Sequence, residues 1–434
     1  MEMLNSCGIS QKQIKELARE QGLIIRDSQK FDPTVFLAAF CLQSQVDSPS
    51  YNDLAAKIEA TYGISTSKQA IWKRVNDSCV LFFQAILALM IKRKYSQDPI
   101  KLVFTTNNYQ RILIQDSTII KAPKRLFEIF SGVTNRYSTV CNIRIQGVYE
   151  LISGRFIDFS VDSYSKNDLL SAPELQIRKA DLVLRDRGYC SFSEIQRHVS
   201  LEADCIYRHK MKFVYLDVDS GEPIDLMNLL RKNGSMDRVV CLNNPERTKV
   251  RLVACPVTEQ IANERRRKAK KEVKGHNPSK ELLELMGYTV FITTIMDTQI
   301  DLAQIIKIYS LRWKIEIIFK IWKSHLSFDK IHNVSFNQLW LILLSRFMMI
   351  LLVTHLLYIQ YLNKVHQYCG RNLSMMKFIK YINKNPCVTS ILLKALKKDV
   401  SSISILLDNL VRYCAYDKRK RLNIIDLQSL VLLS

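Results

Sequence analysis

The chain has 434 residues, of which 47% are hydrophobic and 24% are charged. This length allows about two to four domains, and the composition is that of a globular protein with an ample core, which excludes a disordered chain. Lys and Arg number 63 against 41 Asp and Glu, so the formal net charge is +22. Such an excess indicates a polyanionic partner, nucleic acid first and an anionic membrane surface second. A basic proteome with no polyanionic partner would give the same composition.

The cysteines and the hydrophobic segments favour a cytoplasmic protein. Eleven cysteines are scattered without a CxxC pair, so neither a zinc ribbon nor a redox motif is indicated. The N-terminus has no apolar signal-peptide core. Residues 340–362 are apolar and long enough to span a bilayer, but Arg346 and His355 near the middle would be costly in lipid. We therefore expect a buried helix there, with a membrane anchor as the alternative.

The first 95 residues carry helix signals that end in a helix–turn–helix pattern. Helices are predicted over Ser10–Gln21 and Asp32–Leu42, and a third starts at Ser50 and is stopped by Gly63, after which Ser65 or Ser67 caps a fourth. The last two helices resemble a DNA-binding helix–turn–helix, although an ordinary helical hairpin has the same outline. In the DNA-binding interpretation, the second helix of the pair presents these residues: Lys68, Gln69, Lys73 and Arg74.

From about residue 100 the hydrophobic pattern alternates, which indicates strands. The predicted elements are a strand at Arg111–Gln115, strands at Thr139–Tyr149 and Gly154–Val161, a helix at Leu169–Lys179, a strand at Asp181–Arg185, a helix at Ser191–Val199 and a strand at Ala203–Tyr207. This order is that of an α+β, ribonuclease-H-like fold with a mixed sheet flanked by helices. Other α+β arrangements tolerate the same order.

The next eighty residues interrupt this pattern with a second strand-rich block. Strands are predicted at Lys212–Val218, Arg238–Leu242, Lys249–Val257 and Tyr288–Thr293. A basic run at Arg265–Lys271 would bind DNA or form a solvated charged face. A long helix is predicted after Asp301, and the chain from residue 330 onward is helical and apolar, with a basic cluster at Lys418–Arg421.

Two aspartates follow predicted strands, and this placement indicates a metal site. Phosphoryl transfer with two metal ions needs carboxylates that converge on the ions, and Mg²⁺ prefers oxygen ligands. Asp116 and Asp186 each follow the carboxyl end of a predicted strand, where a bound metal would be open to substrate. Asp162 or Asp181 is the fallback if one of these two fails.

The segment around Glu316 supplies a third carboxylate among cations. Tyr309, Arg312, Glu316, Lys320 and Lys323 are spaced so that one helix would carry all five along a single stripe. Such a stripe fits a site where metal, phosphate and cationic side chains alternate. A structural ion-pair ladder at i,i+4 spacing is an equal alternative from the spacing alone.

The pattern Tyr309-x2-Arg312-x3-Glu316-x6-Lys323 resembles the signature of bacterial insertion-sequence DDE transposases of the "IS four" group. The segments around Asp116 (QDST) and Asp186 (DRGY) resemble the first and second aspartate motifs of that family, and the likeness covers roughly residues 50–330. It implies that Asp116, Asp186 and Glu316 hold Mg²⁺ or Mn²⁺, two ions in all. It also implies that Tyr309, Arg312 and Lys323 contact DNA phosphates, with Lys320 and Trp313 as weaker candidates.

The resemblance further implies an organisation and a reaction. The expected parts are a helical DNA-binding region at 1–98, a ribonuclease-H-like core at 99–330 with a β-rich insertion at about 210–290, and a helical region at 331–434. The expected reaction is cleavage at element ends followed by transfer of a 3′-OH into target DNA. It would be carried out by a homodimer on double-stranded DNA without a small-molecule cofactor. The alternatives are an inactive transposase-derived DNA-binding protein and a nuclease without strand transfer.

One family feature is left open by the sequence. Relatives that cut through a DNA hairpin can stack a flipped base on a tryptophan of the insertion, but the four tryptophans here are at 72, 313, 322 and 340. An aromatic ring of the insertion could replace it, since any π-face can stack a base. The candidates are Phe213, Tyr215, Tyr288 and Phe291.

Overall fold

A computed structural model describes residues 8–26, 28, 31–44, 50–92, 109–132, 140–166, 174–272 and 277–417. Its N-terminal part contains five helices: α1 (Gln11–Glu20), α2 (Pro33–Gln43), α3 (Tyr51–Tyr62), α4 (Lys68–Arg74) and α5 (Asp77–Lys92). Helix α3 ends at Gly63 in the left-handed conformation, and the Ser67 hydroxyl caps α4. The predicted helix–turn–helix outline is therefore confirmed as a backbone arrangement.

In the part of the chain that the structure describes, nine strands form one mixed sheet. The strands are β1 (Arg111–Lys121), β2 (Asn142–Glu150), β3 (Arg155–Ser163), β4 (Asp181–Arg185), β5 (Asp204–Arg208), β6 (Tyr215–Leu216), β7 (Met236–Leu242), β8 (Lys249–Pro256) and β9 (Tyr288–Thr293). Their order is β3-β2-β1-β4-β5-β9-β8-β7-β6. The first three strands are antiparallel, and β4 and β5 run parallel to β1. This is the predicted ribonuclease-H-like topology.

The strand-rich block extends this same sheet. Strand β9 pairs with β5 on one side and with β8 on the other, so the block is joined to the core through one continuous ladder. Helices α7 (Leu226–Asn233), α8 (Glu259–Glu272) and α9 (Lys280–Leu285) lie within it. The strand predicted at Lys212–Val218 shrinks to β6, because the carboxylate of Asp217 accepts hydrogen bonds from the next residues and closes a turn.

The prediction of a helix at Leu169–Lys179 is wrong for the part that the structure describes. Residues 174–180 are not helical, whereas residues 167–173 lie outside the described ranges, as does the Lys418–Arg421 cluster. The peptide N–H of Arg178 donates to the carboxylate of Asp181, which favours an extended approach to β4. The helix between β4 and β5 is α6 (Phe192–Ser200), close to its predicted position.

The long helix predicted after Asp301 is two helices. Helix α10 (Leu302–Ser310) ends before Arg312, and α11 (Trp313–His325) starts after it. At the junction the backbone N–H groups of Arg312 and Lys314 bond three residues back, to Tyr309 and Leu311, which tightens the chain out of α-helical geometry. The five residues of the motif therefore do not share one helical stripe.

The C-terminal part is helical, as predicted. It comprises α12 (Phe336–Leu351), a π-helical segment (Leu352–Tyr358), α13 (Ile359–Cys369), α14 (Met375–Lys384), α15 (Pro386–Ala395) and α16 (Ser404–Cys414). Residues 336–369 are long and apolar enough to cross a membrane, but their most apolar window is entirely buried inside the fold. The expectation of a buried helix at 340–362 is thus confirmed.

An aromatic cluster joins the sheet to helices α11 and α12. Trp322 of α11 lies with its ring centroid 4.8 Å from that of Phe156, and Phe159 of β3 stacks on Phe347 of α12 at 4.4 Å. Phe328 contacts both Trp322 and Phe347. Because large aromatic side chains contribute most to core packing, this cluster fixes α11 against β3.

Buried His355 makes stability depend on pH. Its ring Nε2 accepts a hydrogen bond from the backbone N–H of Phe156 at 3.0 Å, and burial lowers its pKa to about 3, with a further lowering by Arg155. Below pH 6.5, the ordinary pKa of histidine, the unfolded chain binds a proton at this residue while the folded chain does not. The free energy of unfolding therefore decreases as the pH falls.

We expect His355→Gln, which keeps an acceptor but does not titrate, to flatten the decline of the free energy of unfolding between about pH 6.5 and pH 4. The contribution removed is about 1.4 kcal/mol per pH unit at most. Urea unfolding at several pH values measures it, and His366→Gln, at an exposed position, is the control. Equal pH slopes for the two variants would contradict the assignment.

Candidate active site

Asp116 and Asp186 lie side by side at the point where parallel pairing ends. The last pair of the β1–β4 ladder is Gln115 with Arg185, so the next residue on each strand is one of the two aspartates. The prediction that Asp116 ends its strand is wrong: β1 continues to Lys121 because β2 still pairs with it, opposite Gly147 at Asp116. Asp116 thus projects from a strand held on one side only.

Gly147 lets the helix that carries Glu316 approach this strand. A Cβ at this position would lie 2.9 Å from a ring carbon of Phe156 and 3.4 Å from Phe319 of α11. Any larger residue opposite Asp116 would push these rings away. Sequence reasoning missed Gly147, whose only signal is a glycine within a strand pattern.

Arg312 connects the first aspartate to the glutamate. Its Nη1 lies 3.1 Å from the Oδ2 of Asp116, and its Nη2 donates to the Oε1 of Glu316 at 2.7 Å. The Arg312 side chain is 7% exposed, against 17% for Asp116 and 26% for Glu316. The guanidinium therefore lies deeper in the site than the two carboxylates, which are both partly exposed to solvent.

The electrostatics bring Asp186 into the same group. The pKa of Asp116 is raised to about 6, chiefly by burial, against the opposing effect of Arg312; the charges of Glu316 and Asp186 add to the rise. The charge of Asp186 also contributes to the pKa of Tyr309 and to that of Arg312. Asp186 and Glu316, which are far from Asp116 in sequence, are thus both close enough to Asp116 to act on its carboxylate.

The donor set suits a hard divalent cation, although Arg312 separates two of its members. Carboxylate oxygens are the preferred ligands of Mg²⁺, and repulsion among buried carboxylates is relieved by a cation between them. Among the residues that the structure describes, no three Asp, Glu, His or Cys side chains are arranged to hold a metal ion. The residues fit the ion chemically, provided that Arg312 turns away from Asp116 and Glu316.

The other predicted site residues occupy different environments. Tyr309 is buried, and its hydroxyl lies 3.3 Å from the carbonyl oxygen of Arg185, next to Asp186. Lys323 donates to the carbonyl oxygen of Ile119 on β1, whereas Lys320 is exposed. The indole of Trp313 is 45% exposed and lies 5.3 Å from the Arg312 guanidinium carbon.

The two fallback aspartates have other partners. Asp181 is bound by Arg111 through two hydrogen bonds at the start of β4, the opposite end from Asp186. Asp162 accepts from the backbone N–H of Ser163 and pairs with Lys166. Both therefore have structural roles in the described part of the chain.

Arg185 does not pair with its neighbour Asp186 and does not face the surface. It is buried, and its Nη1 contacts the Oε2 of Glu194 on α6 at 2.8 Å. This internal ion pair therefore takes the place of a pair with Asp186 or a contact to DNA.

The two basic segments present only some of their cations to solvent. In α8, Arg265 and Arg266 bind backbone carbonyls of neighbouring segments, whereas Arg267, Lys268, Lys270 and Lys271 are exposed. In α4 the predicted Lys68, Gln69 and Lys73 are exposed, as is Trp72. Arg74 instead lies 4.2 Å from the centre of the Phe31 ring.

The insertion offers few free rings for base stacking. Tyr215 and Phe291 are buried, and Phe213 packs on Phe192 with ring centroids 4.5 Å apart. Tyr288 is partly buried and lies against the core. Of the four rings proposed from the sequence, none is fully exposed in the structure.

In this ribonuclease-H-like sheet, Arg312 contacts Asp116 and Glu316, and Asp186 directly follows the strand paired with β1, an arrangement typical of DDE enzymes. A family model described as "Transposase DDE domain" matches residues 108–352. This is more than half of the chain, which therefore belongs to the transposase DDE domain family and is an enzyme of DNA transposition.

Several curated transposases resemble the chain over most of its length. The transposase of insertion sequence element IS231D from Bacillus thuringiensis subsp. finitimus is 27% identical over 416 residues, 90% of this chain and 86% of the relative. That of IS231E from the same organism is 26% identical, covering 75% and 73%. That of IS1151 from Clostridium perfringens is 25% identical, covering 78% and 76%.

Among solved structures, the piggyBac transposase synaptic complex with hairpin DNA is similar, with a TM-score of 0.45 and 11% identity. The similarity covers 94% of this chain and 83% of that one.

We expect Gly147→Ala to separate α11 from β1 and to destabilise the protein by about 1–3 kcal/mol, because overpacking forces rings off their positions. Chemical unfolding measures the loss. Gly147 is not among the glycines with positive φ, so the loss there comes from crowding alone. Gly370→Ala, at positive φ with nothing within 4 Å of the added methyl, gives for comparison the loss from backbone strain without crowding. A Gly147→Ala variant no less stable than the wild type would contradict the close approach described here.

Proposed function

We propose that this transposase cleaves DNA at the ends of its insertion sequence and joins the freed 3′-OH to target DNA. In the first step, water attacks the phosphodiester and the 3′-oxygen leaves. In the second step, that 3′-OH attacks a target phosphodiester, which releases a target 3′-OH. The observation that carries the proposal is the convergence of Asp116 and Glu316 on the Arg312 guanidinium, with Asp186 close enough to act on Asp116 and Arg312.

Asp116, Asp186 and Glu316 would hold two Mg²⁺ or Mn²⁺ ions. Such ions stabilise charge on the attacking and leaving oxygens of an in-line displacement. Arg312 must release its carboxylates when the ions bind, and its guanidinium then suits a DNA phosphate, which it can bind through two nitrogens. Tyr309, Lys320 and Lys323 are the further candidates for contacts with DNA near the cut.

The remaining parts would serve DNA binding and assembly. We assign the helical region 1–98 to recognition of the element ends, the segment 99–330 to catalysis with its insertion at about 210–290, and the helical region 331–434 to self-association in a homodimer on DNA. Support comes from the exposed cations of α4 and α8 and from the net charge of +22. We place the protein in the cytoplasm, bound to the chromosome.

We expect Glu316→Gln to lower Mg²⁺-dependent cleavage of end-bearing DNA by at least about 100-fold. Replacing a residue that only hydrogen-bonds to a metal ligand already costs about 10–100-fold in metal affinity or activity. Binding of the end DNA should persist. A gel assay of cleavage and joining measures both steps, and Glu128→Gln, at an exposed position outside the site, is the control.

The same assay separates the alternatives. Joined products identify a transposase, cleavage without joining identifies a nuclease, and binding without cleavage by the wild type identifies an inactive DNA-binding protein. Undiminished cleavage by Glu316→Gln would refute the assignment of the third carboxylate.

We expect the double variant Lys268→Glu with Lys271→Glu to bind duplex DNA about tenfold more weakly at low salt. The slope of log affinity against log salt should fall by about 0.9 for each DNA phosphate that the variant no longer neutralises. Fluorescence anisotropy at several salt concentrations measures both quantities. Lys394→Glu with Lys397→Glu, which changes the same charge at exposed positions in α15 and in the turn that follows it, is the control. Identical slopes for the two double variants would show that α8 is only a solvated face.

A further inference from the structure

Three buried polar side chains form a network on the sheet face opposite Glu316. The Tyr189 hydroxyl donates to the Oε1 of Gln146 at 2.9 Å, and the Nε2 of Gln115 lies 3.5 Å from the same oxygen. All three residues are essentially inaccessible to solvent. Buried polar groups are costly unless they are paired, and the hydrogen bond between Tyr189 and Gln146 pairs two of them.

The network touches both segments that carry the aspartates. Gln115 directly precedes Asp116, and successive side chains of a strand point to opposite faces, so Gln115 lies beneath the site while Asp116 projects into it. Tyr189 ends the single turn that follows Asp186, and its backbone N–H donates to the Asp186 carbonyl oxygen at 3.0 Å. Gln146 on β2 bridges these two segments.

A second contact holds the Asp186 turn from below. The guanidinium carbon of Arg185 lies 5.6 Å from the centre of the Tyr189 ring, and Arg185 is fixed by its ion pair with Glu194. This contact lies against the tyrosine ring, whose hydroxyl donates to Gln146. Because it is buried on the far face, the network cannot touch DNA or a metal.

We propose that Gln146 and Tyr189 are positioning residues, which set the spacing between the Asp116 and Asp186 carboxylates. This inference rests on the proposed function, because it supposes that these carboxylates hold metal ions. If the Tyr189 hydroxyl is removed, the turn after Asp186 is free to shift relative to β1, and the two carboxylates no longer present one geometry to the ions. Gln146 lies outside the sequence segments around Asp116, Asp186 and Glu316 that carry the resemblance described above.

The test compares Tyr189→Phe with Tyr361→Phe in the full chain. Each variant removes one hydroxyl from a fully buried tyrosine; that of Tyr361 donates to the Leu392 carbonyl oxygen at 2.6 Å, among the C-terminal helices. Affinity for Mn²⁺ without DNA is measured from the electron paramagnetic resonance signal of the free ion, and thermal unfolding is recorded in parallel. We expect both variants to lose stability but only Tyr189→Phe to bind Mn²⁺ about tenfold more weakly.

A second variant tests whether the shared hydrogen bond is the cause. Gln146→Leu removes the acceptor, and we expect it to weaken Mn²⁺ binding as much as Tyr189→Phe does. The double variant should be no worse than either single one, because the two changes break the same interaction. If one variant does not fold, the other carries the measurement, and failure of both to fold would assign the network a purely structural role and overturn the proposal.

The outcomes distinguish the two levels of inference. If the wild type binds Mn²⁺ and Tyr189→Phe and Gln146→Leu bind it equally well, the positioning role is refuted and the proposed function stands. If the wild type itself does not bind Mn²⁺, or binds it as well after Asp116→Asn and Asp186→Asn, the metal site of the proposed function fails, and the positioning role fails with it.

Discussion

The close approach of α11 to the centre of the sheet is the constraint on which the site depends. Asp116 lies on a strand and Glu316 on a helix, and they meet through one arginine only because the residue opposite Asp116 has no side chain. The rings of Phe156, Phe319 and Trp322 fill the space around this contact and hold the helix down. This packing holds α11 where Glu316 and Asp116 both reach Arg312.

Much of the fold can be predicted because its signals are local. The strands Asp181–Arg185 and Tyr288–Thr293 have the bounds that the sequence predicts, since each is a short apolar run between polar residues. The end of β1 escapes prediction, because its residues after Gln115 begin with a polar run and are held by a neighbouring strand that is distant in sequence. The break between α10 and α11 escapes it too, since no proline or glycine marks it.

The candidate site divides in the same way. Its carboxylates stand in recognisable motifs, so sequence alone suffices to propose Asp116, Asp186 and Glu316. What sequence does not disclose is how charge is distributed among them: Arg312 contacts two of the carboxylates, Arg185 turns away from the third to pair with Glu194, and the pKa of Asp116 rises with burial. These are properties of distances across the sheet, and no spacing along the chain encodes them.

The continuity of the sheet through β9 has a mechanical consequence. The strands that carry the candidate site and those of the strand-rich block share one ladder of backbone hydrogen bonds from β3 to β6, and such a ladder resists flexing between adjacent strands. In the proposed function, a duplex bound by the exposed cations of α8 would therefore be held at a fixed offset from the carboxylates. The DNA would then have to bend to bring a phosphate to the carboxylates, and the free energy of that bending depends on the base sequence.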